Sequence, residues 1–220
     1  MEILKRILNI FTPQKNGTPQ FVDLGLPSGL KWAKCNVGAK KETDYGYYFQ
    51  WGDIVNKRKS NCGWTRYKHC KGTKDTMTKY CRYLLHGTVT DKSTLDTEDD
   101  AATQIMGGKW RMPTIAEFGE LLYNTTKEWI QVNGVNGYKF TSVNNGNYIF
   151  IPAAGACLDG SMYGVGEYGD VWSSSLNTSY PCNAWGLHFS ADKCNIDYNA
   201  RNYSLPVRGV MKKKISNFEK

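Results

Sequence analysis

The sequence predicts an α+β fold, with antiparallel sheets and two helices set between runs of strands. Three observations carry that expectation. Strand signals come early and late in the chain, two capped helices lie between them, and strands and helices do not alternate. Among 220 residues there are 22 Gly, 14 Tyr and 7 Trp, a mix suited to many short strands and tight turns around aromatic packing. No Gly-rich phosphate loop opens a helix, which argues against a doubly wound nucleotide fold. With 40% apolar and 22% charged residues, the chain is a folding sequence with room for one large domain.

Residues 1–19 stand apart as a handle and linker. Ile3, Leu4, Ile7, Leu8 and Phe11 recur at helical spacing, and Thr12 to Pro19 holds two prolines and a glycine. The main domain is expected over 20–211. Phe21–Leu24 and Leu30–Val37 read as strands around the turn Pro27-Ser-Gly29. Tyr45–Trp51 reads as a short aromatic strand. Residues 52–95 are polar and lysine-rich with weak periodicity, so little regular structure is expected there.

Two helix starts follow. Thr97 is placed to cap a helix whose first turn carries Glu98, Asp99 and Asp100, where the dipole favours acid. That helix is expected to bury Ala101, Ala102, Ile105 and Met106 and to stop at Gly107-Gly108. Thr114-Ile-Ala-Glu117 is a capping box, and Ile115, Phe118, Leu121 and Leu122 form the stripe behind it. The rest reads as strands: Tyr138–Val143 and Tyr148–Ile151 around Asn144-Asn-Gly-Asn147, then Asp170–Ser174, Ala184–Phe189 and Leu205–Met211. Residues 212–220 form a basic tail.

Composition narrows the chemistry. The net charge is +8 but spread out, apart from Lys212, Lys213 and Lys214, so no nucleic-acid partner is expected. No apolar run reaches the ~18 residues of a membrane span. The seven cysteines are odd in number and form no CxxC pair, which points to thiols kept in a reducing compartment. The first eleven residues make a poor signal peptide, so a cytoplasmic or virion location is expected. Cys62, Cys70, Cys81, His69 and His86 match no zinc spacing. Asp96, Glu98, Asp99 and Asp100 lack the alternation of a calcium loop and are read as capping acids. Ser173-Ser-Ser175 has no nucleophile-elbow context. No metal, cofactor or catalytic residue is expected.

One stretch stands out. Of the 33 residues from Ser173 to Leu205, Asn, Ser and Tyr supply 14. These types dominate adaptable binding surfaces. Polar loops at the end of a β domain have the same composition, so residues alone leave both readings open.

Several motifs then occur in order: Val22-Asp-Leu-Gly-Leu-Pro-Ser-Gly-Leu-Lys-Trp-Ala-Lys-Cys-Asn-Val-Gly-Ala39, Tyr45-Gly-Tyr-Tyr-Phe-Gln-Trp-Gly52, Gly107-Gly-Lys-Trp-Arg-Met-Pro-Thr114 with Glu117-Phe118, and Ser204-Leu-Pro-Val-Arg208. Over about residues 21–211 the chain resembles a large paralogous family of Bacteroidetes and their phages. That family is itself similar to the formylglycine-generating-enzyme branch of the C-type lectin-like fold. The resemblance implies that fold. The enzyme branch oxidises cysteine with a closely spaced, copper-binding cysteine pair. The nearest candidates here, Cys182 and Cys194, are twelve positions apart and depart from that pattern.

The C-terminal part resembles the variable proteins of diversity-generating retroelements, which end in a Trp-Ser-Ser strand, an Asn/Tyr/Ser-rich stretch and a closing strand. Adenine replacement in Asn-type codons there yields any residue except Lys, Glu, Gln, Met and Trp. The chain has 21 Lys, 8 Glu, 5 Gln, 6 Met and 7 Trp, yet residues 173–205 hold two of these, Trp185 and Lys193. The resemblance implies a non-enzymatic binding module with a variable region at about 173–205, its side chains displayed on one face. The residues expected there are Tyr180, Asn183, His188, Ser190, Asp192, Asn195, Asp197, Tyr198, Asn199, Asn202 and Tyr203. Tyr198 and Tyr203 would be anchors, Trp172 and Trp185 scaffold, and Arg208 a structural pair in the closing strand. The implied partner is a protein or glycan receptor on a cell surface. Residues 1–19 would join a phage tail or a homotrimer, whose several copies raise avidity. The rival readings are a formylglycine-generating-type cysteine oxidase and a surface carbohydrate-binding domain with no variability.

Overall fold

The computed structural model describes residues 20–57 and 62–212. The expectations for the handle at 1–19 and for the tail from 213 onward lie outside the described residues. The architecture is mostly antiparallel β with two α-helices, as the order of signals predicts. No helix among the described residues is long and apolar enough to cross a membrane.

Strands β1 (Phe21–Asp23) and β2 (Leu30–Asn36) pair across the expected turn, where Gly29 N–H donates to Leu26 O at 2.8 Å. The closing strand β13 (Arg208–Lys212) pairs with the other edge of β2, so the two ends of the domain share one sheet. Arg208 is fully buried, and burial pulls its guanidinium down to about 10. Among the described residues it has no carboxylate partner. It donates instead to Asn36 Oδ1 and to the carbonyls of Ala33, Lys34 and Phe150 at 2.7–2.9 Å. That fork ties β13 to both β2 and the strand that carries Phe150.

Both helices form, with one shift. Thr97–Asp99 make a 3-10 turn, and the cap of α1 (Ala101–Met106) is Asp100, not Thr97. The chain is extended at Asp100, and its carboxylate accepts from Thr103 N–H at 2.9 Å and Met112 N–H at 2.8 Å. Ala101 and Ala102 are buried as expected, and Gly107 ends the helix at φ +97. Ile105 is 38% exposed, against expectation, because α1 is short and only Met106 of its last turn reaches the core. Helix α2 (Ile115–Tyr123) starts on the predicted capping box. Arg111 clamps Glu117 of that box through two bonds of 2.5 and 2.7 Å. Phe118 and Leu121 are buried and Leu122 packs against them.

A three-stranded meander follows: β4 (Thr125–Val132), β5 (Val135–Ser142) and β6 (Tyr148–Pro152). Strand β4 was not expected. Its signal is Asn133-Gly134, which turns with φ +48 and +80, the type I′ geometry that suits a two-residue hairpin. The expected strand at 45–51 shrinks to β3 (Phe49–Gln50). Tyr48 is diverted from pairing: its N–H goes to Asn56 Oδ1 and its hydroxyl to Ala154 O. β3 joins β12 (Ser204–Leu205), β7 (Ala156–Leu158) and β8 (Ser161–Tyr163) in a small sheet. The last sheet is β9 (Tyr168–Leu176), β10 (Asn183–Ser190) and β11 (Lys193–Ala200), with β10 central.

Two large apolar clusters and two small ones make up the core of the described residues. The first gathers Trp32, Phe118, Leu121, Tyr138, Phe140, Val171, Leu187 and Phe189. The second surrounds Phe49, Trp51, Tyr80, Trp172 and Leu205. The described residues among 52–95 hold little regular structure, as expected, yet Trp51 and Tyr80 meet edge to face at 5.2 Å and anchor this excursion in the second core. The excursion is therefore part of the packed domain.

Candidate binding face

Strand pairing decides which side chains share a surface, because directly opposed residues of an antiparallel pair point the same way. On one side of the β9–β11 sheet stand Val171, Leu187 and Ile196, then Phe189 and Cys194. That side rests on α2: Phe118 and Leu121 share its core, and Ile196 Cδ1 lies 3.8 Å from where a side chain on Gly119 would begin. On the other side stand Tyr168, Ser190 and Lys193, then Asp170, His188 and Asn195, then Asp197 opposite Gly186 and Asn199 opposite Ala184. A sheet with one side on a helix and the other carrying polar side chains has the period-2 pattern of a half-buried strand.

The expected residues do not all share this face. His188, Ser190, Asn195, Asp197 and Asn199 do, and all five are half-buried. Asn183 and Tyr198 lie on the α2 side of the pairing, so the single face expected for all eleven is corrected to two sides and two ends. Tyr198 is 44% exposed but stacks edge-on against Trp185, with ring centroids at 5.4 Å. Tyr180 sits in the β9–β10 loop and is exposed; Asp192 sits in the β10–β11 turn at the far end. Asn202 is buried at 6% exposure and its backbone carbonyl accepts from Gln50. Tyr203 is half-buried and packs at the rim of the second core beside Tyr168. Trp172 is buried, as a scaffold residue should be, and its indole N–H donates to Phe49 O.

Two residues outside the expected window complete the face. His188 Nδ1 lies 2.9 Å from Asp170 Oδ1, and the Tyr168 ring lies 5.8 Å from the imidazole. The signal for both was the alternation in Tyr168-Gly-Asp-Val-Trp172, which puts Tyr168, Asp170 and Trp172 on this side of the sheet, Tyr168 half-buried and Asp170 buried against His188. The face offers the Asp197 carboxylate, an imidazole held by buried Asp170, amides, a hydroxyl and tyrosine edges. Such groups bind by hydrogen bonds and stacking.

The β9–β10 loop beside the face is tied down by side-chain hydrogen bonds. Buried Asn177 holds the β9–β10 loop: its Oδ1 accepts from the N–H groups of Ser179 and Tyr180 at 3.2 Å. Arg201, at the end of β11, is fully buried between Trp51, Tyr67 and Tyr80, 4.8 to 5.9 Å from their ring centroids. It donates to Tyr67 Oη and to the carbonyls of Lys79, Tyr80 and Pro181. Arg201 therefore bolts the excursion at 62–95 to the strand that carries the face.

The groups with metal-ligand chemistry are occupied by one another. Asp96, Glu98 and Asp99 bring carboxylate oxygens within 4.8 Å. Lys79 Nζ already sits among them, at 2.7, 3.1 and 2.6 Å. Burial alone would raise Asp99, but Lys68, Lys79 and Tyr80 donate to it and hold its carboxyl well below the usual range. His69 is pulled down to about 4 by burial, which outweighs nearby Asp99. The other residues weighed for zinc have other partners: His86 pairs with Asp75, Cys70 Sγ contacts Trp64 O, Cys81 Sγ contacts Tyr83 O, and Cys62 Sγ lies 3.5 Å from Cys157 Sγ. Cys182 is held beside Arg201, whose N–H donates to the Cys182 carbonyl at 2.9 Å. Cys194 lies farther along β11, roughly 20 Å away at ~3.3 Å per residue, and burial pushes its thiol up to about 12. The two thiols cannot share one copper ion. Two surface hollows, of about 480 Å³ beside Tyr45 and about 740 Å³ beside Phe21, include none of the eleven expected residues. No protein-family model, curated protein or solved structure matches the chain.

Proposed function

We propose that this chain is a non-enzymatic binding module of C-type lectin-like fold, in the formylglycine-generating-enzyme-like subclass. It presents a retroelement-diversified face to a protein or glycan receptor on a cell surface. One observation carries the reading. The side chains of Ser190, Asn195, Asp197 and Asn199 stand on a sheet whose other side is packed against α2, and none of the four belongs to an apolar core, so they are exchangeable without touching one. Depletion of Lys, Glu, Gln, Met and Trp between 173 and 205 supports the same reading. The working set is Tyr168, His188, Ser190, Asn195, Asp197 and Asn199, with buried Asp170 orienting His188 and with Tyr180, Asp192 and Tyr203 at the margins. A phage tail tip presenting several copies through residues 1–19 would gain avidity.

The test is alanine replacement of Asp197 and Asn199 together, probed on an array of bacterial surface glycans and outer-surface proteins. Binding by the parent that is lost in the variant, with melting unchanged, supports the reading. Binding that survives the change removes the face from the site. A neighbouring reverse-transcriptase gene with a near-copy of the 3′ coding end would separate a diversified module from a fixed one.

A further inference from the structure

We propose that the Tyr83–Leu85 tip of the 62–95 excursion, with the basic residues around it, docks on an anionic lipid surface. This inference does not depend on the β9–β11 face.

Leu84 and Leu85 are 84% and 80% exposed, adjacent to each other, on a 3-10 turn at Leu84–His86. Tyr83 at 50% and Val89 at 44% extend the apolar surface. Two neighbouring leucines held this far into solvent are a cost that a folded chain ordinarily removes. The turn is built to keep them there. Met77, buried beneath it, accepts from Thr88 N–H at 2.8 Å and donates to His86 O at 2.8 Å. Gly87, at φ +135, lies so close to Met77 that a side chain would begin 2.1 Å from the Met77 carbonyl oxygen. His86 Nδ1 meets Asp75 Oδ1 at 2.9 Å and ties the turn to the 71–76 loop.

Charge selects the occupant. From Cys62 to Leu95 there are seven Lys and Arg against two Asp. Lys68, Lys79 and Lys92 spend their charge on Asp96, Glu98 and Asp99. Arg66, Lys71, Lys74 and Arg82 have no carboxylate partner among the described residues. Lys71 and Lys74 stand exposed on the adjoining loop, and Arg82 precedes the tip. A polyanion satisfies these cations but not the leucines. An anionic bilayer supplies both phosphate charge and hydrocarbon, with a tyrosine suited to the boundary between them. The patch borders the 173–205 region, since Lys74 and Asp75 both act on the Cys182 thiol.

The test is co-sedimentation of the full chain with vesicles of phosphatidylcholine carrying about 30% phosphatidylglycerol, against phosphatidylcholine alone. The expected result is binding to the anionic vesicles, weakened about tenfold in the pair Leu84→Asp and Leu85→Asp, and weakened again by about 0.5 M salt. The pair Lys71→Glu and Lys74→Glu, remote from the packed core, gives the same loss through charge alone and covers the case of a misfolded leucine variant. No vesicle binding, equal binding to neutral vesicles, or full binding by the leucine variant overturns the proposal. So does a concentration-dependent dimer of the parent that the leucine variant lacks, which would make the tip a contact between copies of this chain.

Discussion

Asp197 and Tyr198 are neighbours in the chain and face opposite sides of the β9–β11 sheet. Asp197 stands opposite Gly186 on the open side, while Tyr198 stands opposite Trp185 and stacks on it. Replacing Tyr198 with alanine is expected to cost about 1 kcal/mol of stability, the worth of an aromatic pair. Replacing Asp197 with alanine is expected to stay within about 0.5 kcal/mol. Urea unfolding of the two variants distinguishes them. Equal losses would mean that the two sides are not distinct.

The Lys79 cluster sets an acid limit. Asp99 is held below the usual carboxylate range by its donors, and Asp96 by Lys79 and Lys92. A carboxyl depressed in the folded state stabilises above its unfolded pKa and loses that stabilisation as pH falls through the folded value. Stability is therefore expected to drop below about pH 4. Lys79→Met should cost about 2 kcal/mol at pH 7, allowing for the partial exposure of Lys79, and much less at pH 2. A loss independent of pH would contradict the ion-pair account.

His69 adds a second, milder limb. Its folded pKa of about 4 lies below the ordinary 6.5, so in between the unfolded chain binds a proton that the folded chain refuses. Stability then falls as pH falls from 6.5 to 4, by an amount of order 3 kcal/mol. His69→Gln keeps a donor towards Gly52 O and should flatten this limb while leaving the steeper acid limit in place. Denaturant midpoints at pH 7 and pH 5 for parent and variant measure it. Parallel slopes would place the titrating group elsewhere.

Arg201 lies inside the stretch read as variable, yet it is built as framework. Arg201→Ala is expected to cost about 3–5 kcal/mol, because it orphans three carbonyls and empties an aromatic cage. Arg201→Lys restores the charge but not the fork and should recover less than half of that loss. Chemical denaturation reads both. A mild effect of Arg201→Ala would free the end of β11 from the role assigned to it.

Much of this fold was legible because its signals are local. The capping box at Thr114, the Gly29 turn and the Asn144–Asn147 loop each fix their own backbone. Asp100 displaced Thr97 as the first cap because it also reaches Met112 N–H, twelve residues on, which no local pattern reveals. Strand β4 was missed although Asn133-Gly134 announced its hairpin. The window from 173 to 205 spans β10 and β11 but did not show which side chains share a side, since side depends on register. Asp170 escaped it by three positions, and the framework role of Arg201 inside it was not legible because its cage is assembled from residues 51, 67 and 80.

A display library randomised at Ser190, Asn195, Asp197 and Asn199 puts the account to its hardest trial. Folded clones should be recovered at most combinations, melting within about 4 °C of the parent, and different clones should be selected by unrelated ligands. A library in which most combinations unfold, or in which no combination changes what is bound, would contradict a stiff sheet with exchangeable outward side chains.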